Sequence, residues 1–291
     1  MKTATRRLAA ILRFPLVRII LGGTAVFFFP ILVSKLAFKP LLSLAFPAWP
    51  GANVLRYLAG MVVSWGFYVL LFKVYERRRV VEVQLAGIGR DAASGFVLGF
   101  GSMVLALGIG AVLGVFSVTG VNADFDWVRI LAVVAALAFI EELTFRGVVY
   151  RIADKWLGTV PALVLSALIF GLPHLANEGA NLPSLVSAVL GGIVTALAFT
   201  LSGKIWLPTV FHITWNFTQV VFGSRLSGDD SFGSFFRGKL AGPDLLTGGV
   251  FGIEASIVTL VVLVGLAAGL YLSARRKGRF TAPFWRRTAR E

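Results

Sequence analysis

Apolar residues fall in eight long runs, about residues 16–34, 52–72, 94–116, 128–150, 159–176, 184–201, 206–223 and 249–273, separated by short polar stretches. Each approaches the roughly 20 residues with which an α-helix crosses a hydrocarbon core about 30 Å thick. A lone strand in lipid would leave its N–H and C=O groups unpaired, so every run is expected to be helical. The pattern predicts an all-α, polytopic transmembrane bundle of about eight helices. It divides into residues 1–120 with helices 1 to 3, a central block at 125–225 with helices 4 to 7, and residues 249–291 with the last helix and a basic tail. There is no repeat of fixed period and no second soluble domain.

Composition supports this pattern: 57% of the residues are hydrophobic and 14% charged, against roughly 25% charged in a soluble chain. So apolar a chain is not disordered. The net charge of +14 would suit nucleic acid in a soluble protein, but here the basic residues sort by topology. With the N-terminus inside and the runs alternating, 21 Lys and Arg fall on the inner side and 7 on the outer. Cytoplasmic loops collect Lys and Arg, so both termini are expected in the cytoplasm of a multi-pass membrane protein. Lys35, Lys39 and Arg56 break the trend, which makes Leu41 to Pro50 a candidate interfacial or re-entrant stretch.

Met1 to Phe29 has the outline of a signal sequence, with Thr5-Arg6-Arg7 faintly like a twin-arginine signal. Arg13 and Arg18 interrupt its apolar part, however, and an uncleaved first helix is expected. The tail from Arg275 to Arg290, with Phe280, Phe284 and Trp285, reads as an anchor on anionic lipid. The expected partners are therefore the bilayer and a membrane-associated substrate, not nucleic acid. Cysteine is absent, which excludes disulfides, a thiolate nucleophile and Cys-based metal sites. The glycines of the third run, at 95, 99, 101, 108, 110 and 114, are expected to serve close packing within the monomer.

Ionisable groups within spanning helices are costly and mark functional sites. Here they are few: Glu141, Glu142 and Arg146 in the fourth run, His174 at the end of the fifth, and His212 with Asn216 in the seventh. Glu254 sits near the outer end of the eighth and is expected to be structural. Glu142 and Arg146, four apart, share a helix face and can pair. Glu141 is rotated about 100° away and is left free. His212 and Asn216 share a face as well, and Phe170, one turn before His174, can wall the same pocket. A turn near Leu157 and Gly158 places Glu141 and His174 at equal depth, 16 residues to either side. Counted from Arg151 and from Lys204, Glu141 and His212 lie about 15 Å and 12 Å deep, reachable from the cytoplasmic side if the hairpin tip projects.

A carboxylate, two imidazoles and an amide at one level suit hydrolysis by an activated water. Glu141 beside His174 can act as general base, and His212 and Asn216 can donate to an oxyanion. The same atoms allow a second scheme, with zinc held by Glu141, His174 and His212 and a fourth position open to water.

In order and spacing, Glu-Glu-x-x-x-Arg at 141–146, Phe-x-x-x-His at 170–174 and His-x-x-x-Asn at 212–216 resemble the three motifs of the CPBP (Abi) family. These are intramembrane proteases that include the type II CAAX prenyl endopeptidases. The resemblance covers about residues 125–225, including Phe145-Arg146-Gly147 and Trp206-Leu207-Pro208. It implies an eight-helix fold with a cytoplasm-facing cavity, in the cell membrane of a bacterium. It further implies water activation by Glu141 and His174, oxyanion stabilisation by His212 and Asn216, and support from Glu142, Arg146 and Phe170. Substrates would be membrane-associated proteins or prenylated CAAX-type peptides. Although family names often say metalloprotease, a glutamate-type mechanism needs no metal, and the metal-free scheme is preferred here. Prokaryotic members are also linked to bacteriocin immunity, so a non-catalytic immunity or scaffold protein is one alternative. A secondary transporter is the other, with Gly191-Gly192 as its candidate helix break.

Overall fold

A computed structural model describes residues 10–47, 49 and 51–286. Thr5-Arg6-Arg7, Arg287 and Arg290 lie outside the described residues. Eight long helices stand at the eight apolar runs: α1 (Pro15–Ala45), α2 (Ala52–Tyr75), α3 (Ile88–Val112), α4 (127–157), α5 (Thr159–Ala176), α6 (Leu182–Ser202), α7 (Trp206–Val221) and α8 (Ile257–Arg276). Six of them are long and apolar enough to cross a membrane, all but α4 and α7. This is a multi-pass membrane protein. The two exceptions carry the polar cargo: Glu141, Glu142 and Arg146 interrupt α4, while α7 has only 16 residues. The helices around them turn Leu58, Val62 and Leu70 of α2 and Val261 and Val264 of α8 outward, exposed, as lipid-facing side chains must be.

Two boundaries differ from the sequence expectation. Helix α1 continues past residue 34 to Ala45, so Leu41–Ala45 is helical. A π-helical turn at Ser34–Phe38 lies just before Pro40 and carries the helix through this region. At the other extreme α8 starts at Ile257 rather than 249, because Gly248 (φ 81°) and Gly252 (φ 99°) hold the preceding chain in short 3₁₀ turns. Helix α6 runs unbroken through Gly191 and Gly192, so it lacks the discontinuity a transporter would use. Gly95 faces α7 directly, where a Cβ would stand 2.7 Å from the Leu207 carbonyl oxygen. Gly95, Gly99 and Gly110 approach other segments of the monomer as expected, whereas a Cβ at Gly101, Gly108 or Gly114 would meet nothing within 4 Å.

Backbone and side-chain hydrogen bonds gather the loops into two ends. At the first, Tyr75 donates to the Leu12 carbonyl, Arg18 and Arg151 pair with Glu76, Ile205 N–H donates to Glu82 O, and Thr159 N–H to Thr281 O. At the second, β1 (Phe116–Val121) and β2 (Phe236–Leu240) form an antiparallel ribbon with Phe116 opposite Leu240. There Gly228 N–H also donates to Phe251 O, and Arg225 pairs with Glu178. We call these the first-loop end and the ribbon end.

Candidate active site

Asp126 caps α4, its carboxylate accepting from Arg129 N–H at 3.0 Å. The helix is α-wound over Trp127–Glu142 and π-wound over Leu143–Tyr150. The widened winding begins directly after the two glutamates, and such π segments are frequent at functional sites. Even so, Glu142 and Arg146 meet, with Arg146 Nη1 donating to Glu142 Oε1 at 3.0 Å and both side chains fully buried. Arg146 Nη2 also donates to the Gly192 carbonyl of α6 at 3.2 Å. Its guanidinium lies 4.5 Å from the centre of the Phe170 ring, a cation–π contact in a dry setting.

Glu142 has a second partner. His212 Nδ1 lies 2.9 Å from the same Oε1. An ionised carboxylate only accepts, so His212 carries a proton on Nδ1. That turns Nε2 toward Glu141, 3.8 Å from Oε2, too long for a hydrogen bond. His174 is fixed in the same manner: its Nδ1 lies 3.0 Å from the Phe170 carbonyl, which places the proton on Nδ1 and leaves Nε2 free. In both rings a backbone or buried acceptor sets the tautomer, and the opposite nitrogen is available for chemistry.

These groups line one cavity of about 450 Å³, whose wall includes Glu141, Phe170, His174, His212 and Asn216. The volume falls in the range of small-ligand and peptide side-chain sites. Glu141 is 29% exposed there, while Glu142 behind it is 0% exposed. Thus the 100° rotation between neighbours puts one carboxylate in the cavity and the other in the packing. No hydrogen bond reaches the Glu141 carboxylate or the Asn216 amide from any described residue.

The cavity does not open where depth counting placed its entrance. Toward the first-loop end, buried Arg146, Val148, Tyr150, Tyr68 and Ile205 fill the bundle, and at the hairpin tip Trp156 stacks on Phe284. Its mouth lies at the ribbon end, among Asn177, Glu178, Leu226, Asp229, Asp230 and Glu254. Glu254 is the brace of that mouth. It accepts from Trp215 Nε1 at 3.0 Å and from Ser227 N–H and Oγ at 2.9 Å each. The sequence reading missed Ser187 and Thr195 of the cavity wall, because an isolated hydroxyl in an apolar helix ordinarily bonds its own backbone, as Thr195 does to Gly191 O.

The zinc scheme needs Glu141, His174 and His212 around one point. Among the described residues no three His, Cys, Asp or Glu side chains come together as a metal-ligand set, so the side chains as placed do not fit that ion.

Comparison with known proteins bears on the same helices. Residues 123–218 match the family described as type II CAAX prenyl endopeptidase Rce1-like. Neither the curated proteins nor the solved structures compared gave a match. The matched stretch starts just before α4 and ends within α7, and so contains every polar residue that builds the inner cavity. Residues 123–218, which hold all three sequence motifs, are thus similar to the type II CAAX prenyl endopeptidases.

Proposed function

We propose that the protein is an endopeptidase that cleaves membrane-associated polypeptides with a water activated at Glu141. The observation that supports this best is the contrast within the pair: Glu142 is buried and gives Oε1 to Arg146 and His212, whereas Glu141 faces the cavity and accepts no hydrogen bond from the described residues, its nearest charged neighbour being His212 Nε2 at 3.8 Å. A carboxylate in a cavity walled by Phe170 and Leu137 is a competent base. It takes a proton from water as the water oxygen bonds to the peptide carbonyl carbon. His174, presenting Nε2 to the same cavity, accepts a hydrogen bond from the water's second O–H and holds the water for attack, and that second proton stays on the new carboxyl group.

As the carbonyl π electrons move to oxygen, the new oxyanion needs donors. Asn216 supplies its amide N–H. His212 supplies Nε2–H, which requires a protonated ring because its Nδ1 proton is already given to Glu142. Glu142 therefore both orients His212 and balances its charge, and Arg146 holds Glu142 in place. When the electrons return and the C–N bond breaks, the proton taken by Glu141 passes to the leaving amine. General base catalysis of this kind contributes roughly 10²- to 10⁴-fold, and one oxyanion donor roughly 10²- to 10³-fold.

The test is reconstitution of the purified protein in lipid with a prenylated CAAX-type peptide and a panel of transmembrane peptides. Cleavage by the wild type and its loss in both Glu141→Ala and His174→Ala is the expected outcome. Cleavage that persists in both variants contradicts the assignment.

A further inference from the structure

The charges and the cavity point to opposite ends of the same molecule. Among the described residues, fifteen Lys and Arg belong to the first-loop end and seven to the ribbon end, with Arg146 between them. Acidic residues run the other way, four at the first-loop end and seven at the ribbon end, so that the ribbon end has no net charge. Lys and Arg in short loops are retained in the cytoplasm. The first-loop end is therefore the cytoplasmic one, and the ribbon end lies across the membrane from it.

The cavity mouth is at the ribbon end. Asn177, Glu178 and the loop through Leu226, Asp229 and Asp230 surround it. This loop is tied down by Arg225 to Glu178 and Asp230 and by Ser227 to Glu254. Measured along α4, Glu141 lies 14 residues from Trp127, about 21 Å from the ribbon end. In the other direction Arg146, Gly147, Tyr150 and Arg151 fill the helix interface. There Tyr68 donates to Gly147 O at 2.7 Å, and Arg151 Nε donates to the same carbonyl at 2.6 Å. None of the residues that line the cavity belongs to the cytoplasmic loops.

We infer that the site is entered from the non-cytoplasmic side, so that its substrates are juxtamembrane segments of membrane-anchored polypeptides exposed on that side, not cytoplasmic C-terminal tails. This rests on the peptidase reading above for the reaction, but not for the sidedness. It departs from the cytoplasm-facing cavity that the family resemblance implies. The physical reason is the long loop between α7 and α8, whose residues Leu226–Asp230, Phe232, Phe251 and Glu254 line the cavity beside His174 and Asn216.

The absence of cysteine makes the test direct. Single variants Ser231→Cys, in the loop at the mouth, and Gln84→Cys, at the first-loop end, both replace exposed neutral residues. In intact cells a membrane-impermeant maleimide is expected to label Ser231→Cys and to label Gln84→Cys only after permeabilisation. Labelling of Gln84→Cys in intact cells, with Ser231→Cys protected, overturns the inference. A second arm uses an anchored reporter peptide whose juxtamembrane segment is placed on one side or the other. Cleavage is expected only on the Ser231 side, and cleavage on the Gln84 side overturns the inference. Correct labelling without cleavage of either reporter overturns the substrate class together with the peptidase reading, and leaves the orientation standing.

Discussion

At the first-loop end Glu76 accepts hydrogen bonds from both terminal nitrogens of Arg151, each at 2.9 Å, and from Arg18 and Arg78. In the cavity Glu141 accepts none from the described residues. Glu82, beside Glu76, is equally occupied, taking Arg78 at 2.8 Å and the Tyr68 hydroxyl at 2.5 Å. Burial alone would raise the Glu76 carboxyl, but the hydrogen bonds and charge of Arg151, with Arg18 and Arg78, outweigh it and hold the group at about 2. Glu82 is likewise held below the usual range: burial acts against ionisation, and the hydrogen bond from Arg78 and the charge of Arg151 prevail. Both regions are built from carboxylates and guanidinium groups. The first satisfies its acceptors and ties four segments of chain together. The second spends one glutamate on such a pair and leaves its neighbour unsatisfied, which is the condition for a base.

If that distinction holds, the two regions fail in different ways. The largest stability effect is expected for Arg151→Met, which strips Glu76 and Glu82 of a shared partner. Breaking a buried pair from one side costs about 3–5 kcal/mol. A clear drop in the thermal midpoint should follow, while protein that remains folded still cleaves substrate. A midpoint equal to wild type would show that the network is not a fastener. Next comes Asn216→Ala, expected to lower kcat roughly 10²- to 10³-fold with no change in midpoint. An equal loss of stability would instead place Asn216 among the packing residues.

The smallest effect is one of pH. Because the folded Glu76 carboxyl titrates at about 2 rather than near 4.5, its contribution to stability is complete above that upper value. It is lost as the pH falls from there toward about 2. Denaturant midpoints measured over that window should decline in the wild type and decline less in Glu76→Gln. Identical slopes would contradict the assignment.

These contrasts were unequally legible in the sequence. The eight helices follow from apolar run length, since lipid forces each run to satisfy its own backbone. The division of labour between Glu141 and Glu142 follows from a 100° step, and the Glu142–Arg146 pair from four-residue spacing. That pair survived a π-wound segment that the spacing did not foresee. The Glu76 network left no local trace, because Arg151 is 75 residues from Glu76 and only the folded bundle joins them. The end at which the cavity opens is not legible from depth. Glu141 and His174 lie equally far from the hairpin turn, so depth alone says nothing of which end is plugged. What plugs it is side-chain packing by Tyr68, Arg146 and Tyr150, and what opens the other end is a loop braced by Glu254.

The central claim is that Glu141 is unsatisfied because it works on water. Glu141→Gln, which keeps shape and removes the base, tests it most directly when the cleavage rate is measured per folded molecule in lipid. The expected result is a fall of roughly 10³-fold or more with the wild-type thermal midpoint. Cleavage at the wild-type rate by Glu141→Gln would contradict the account.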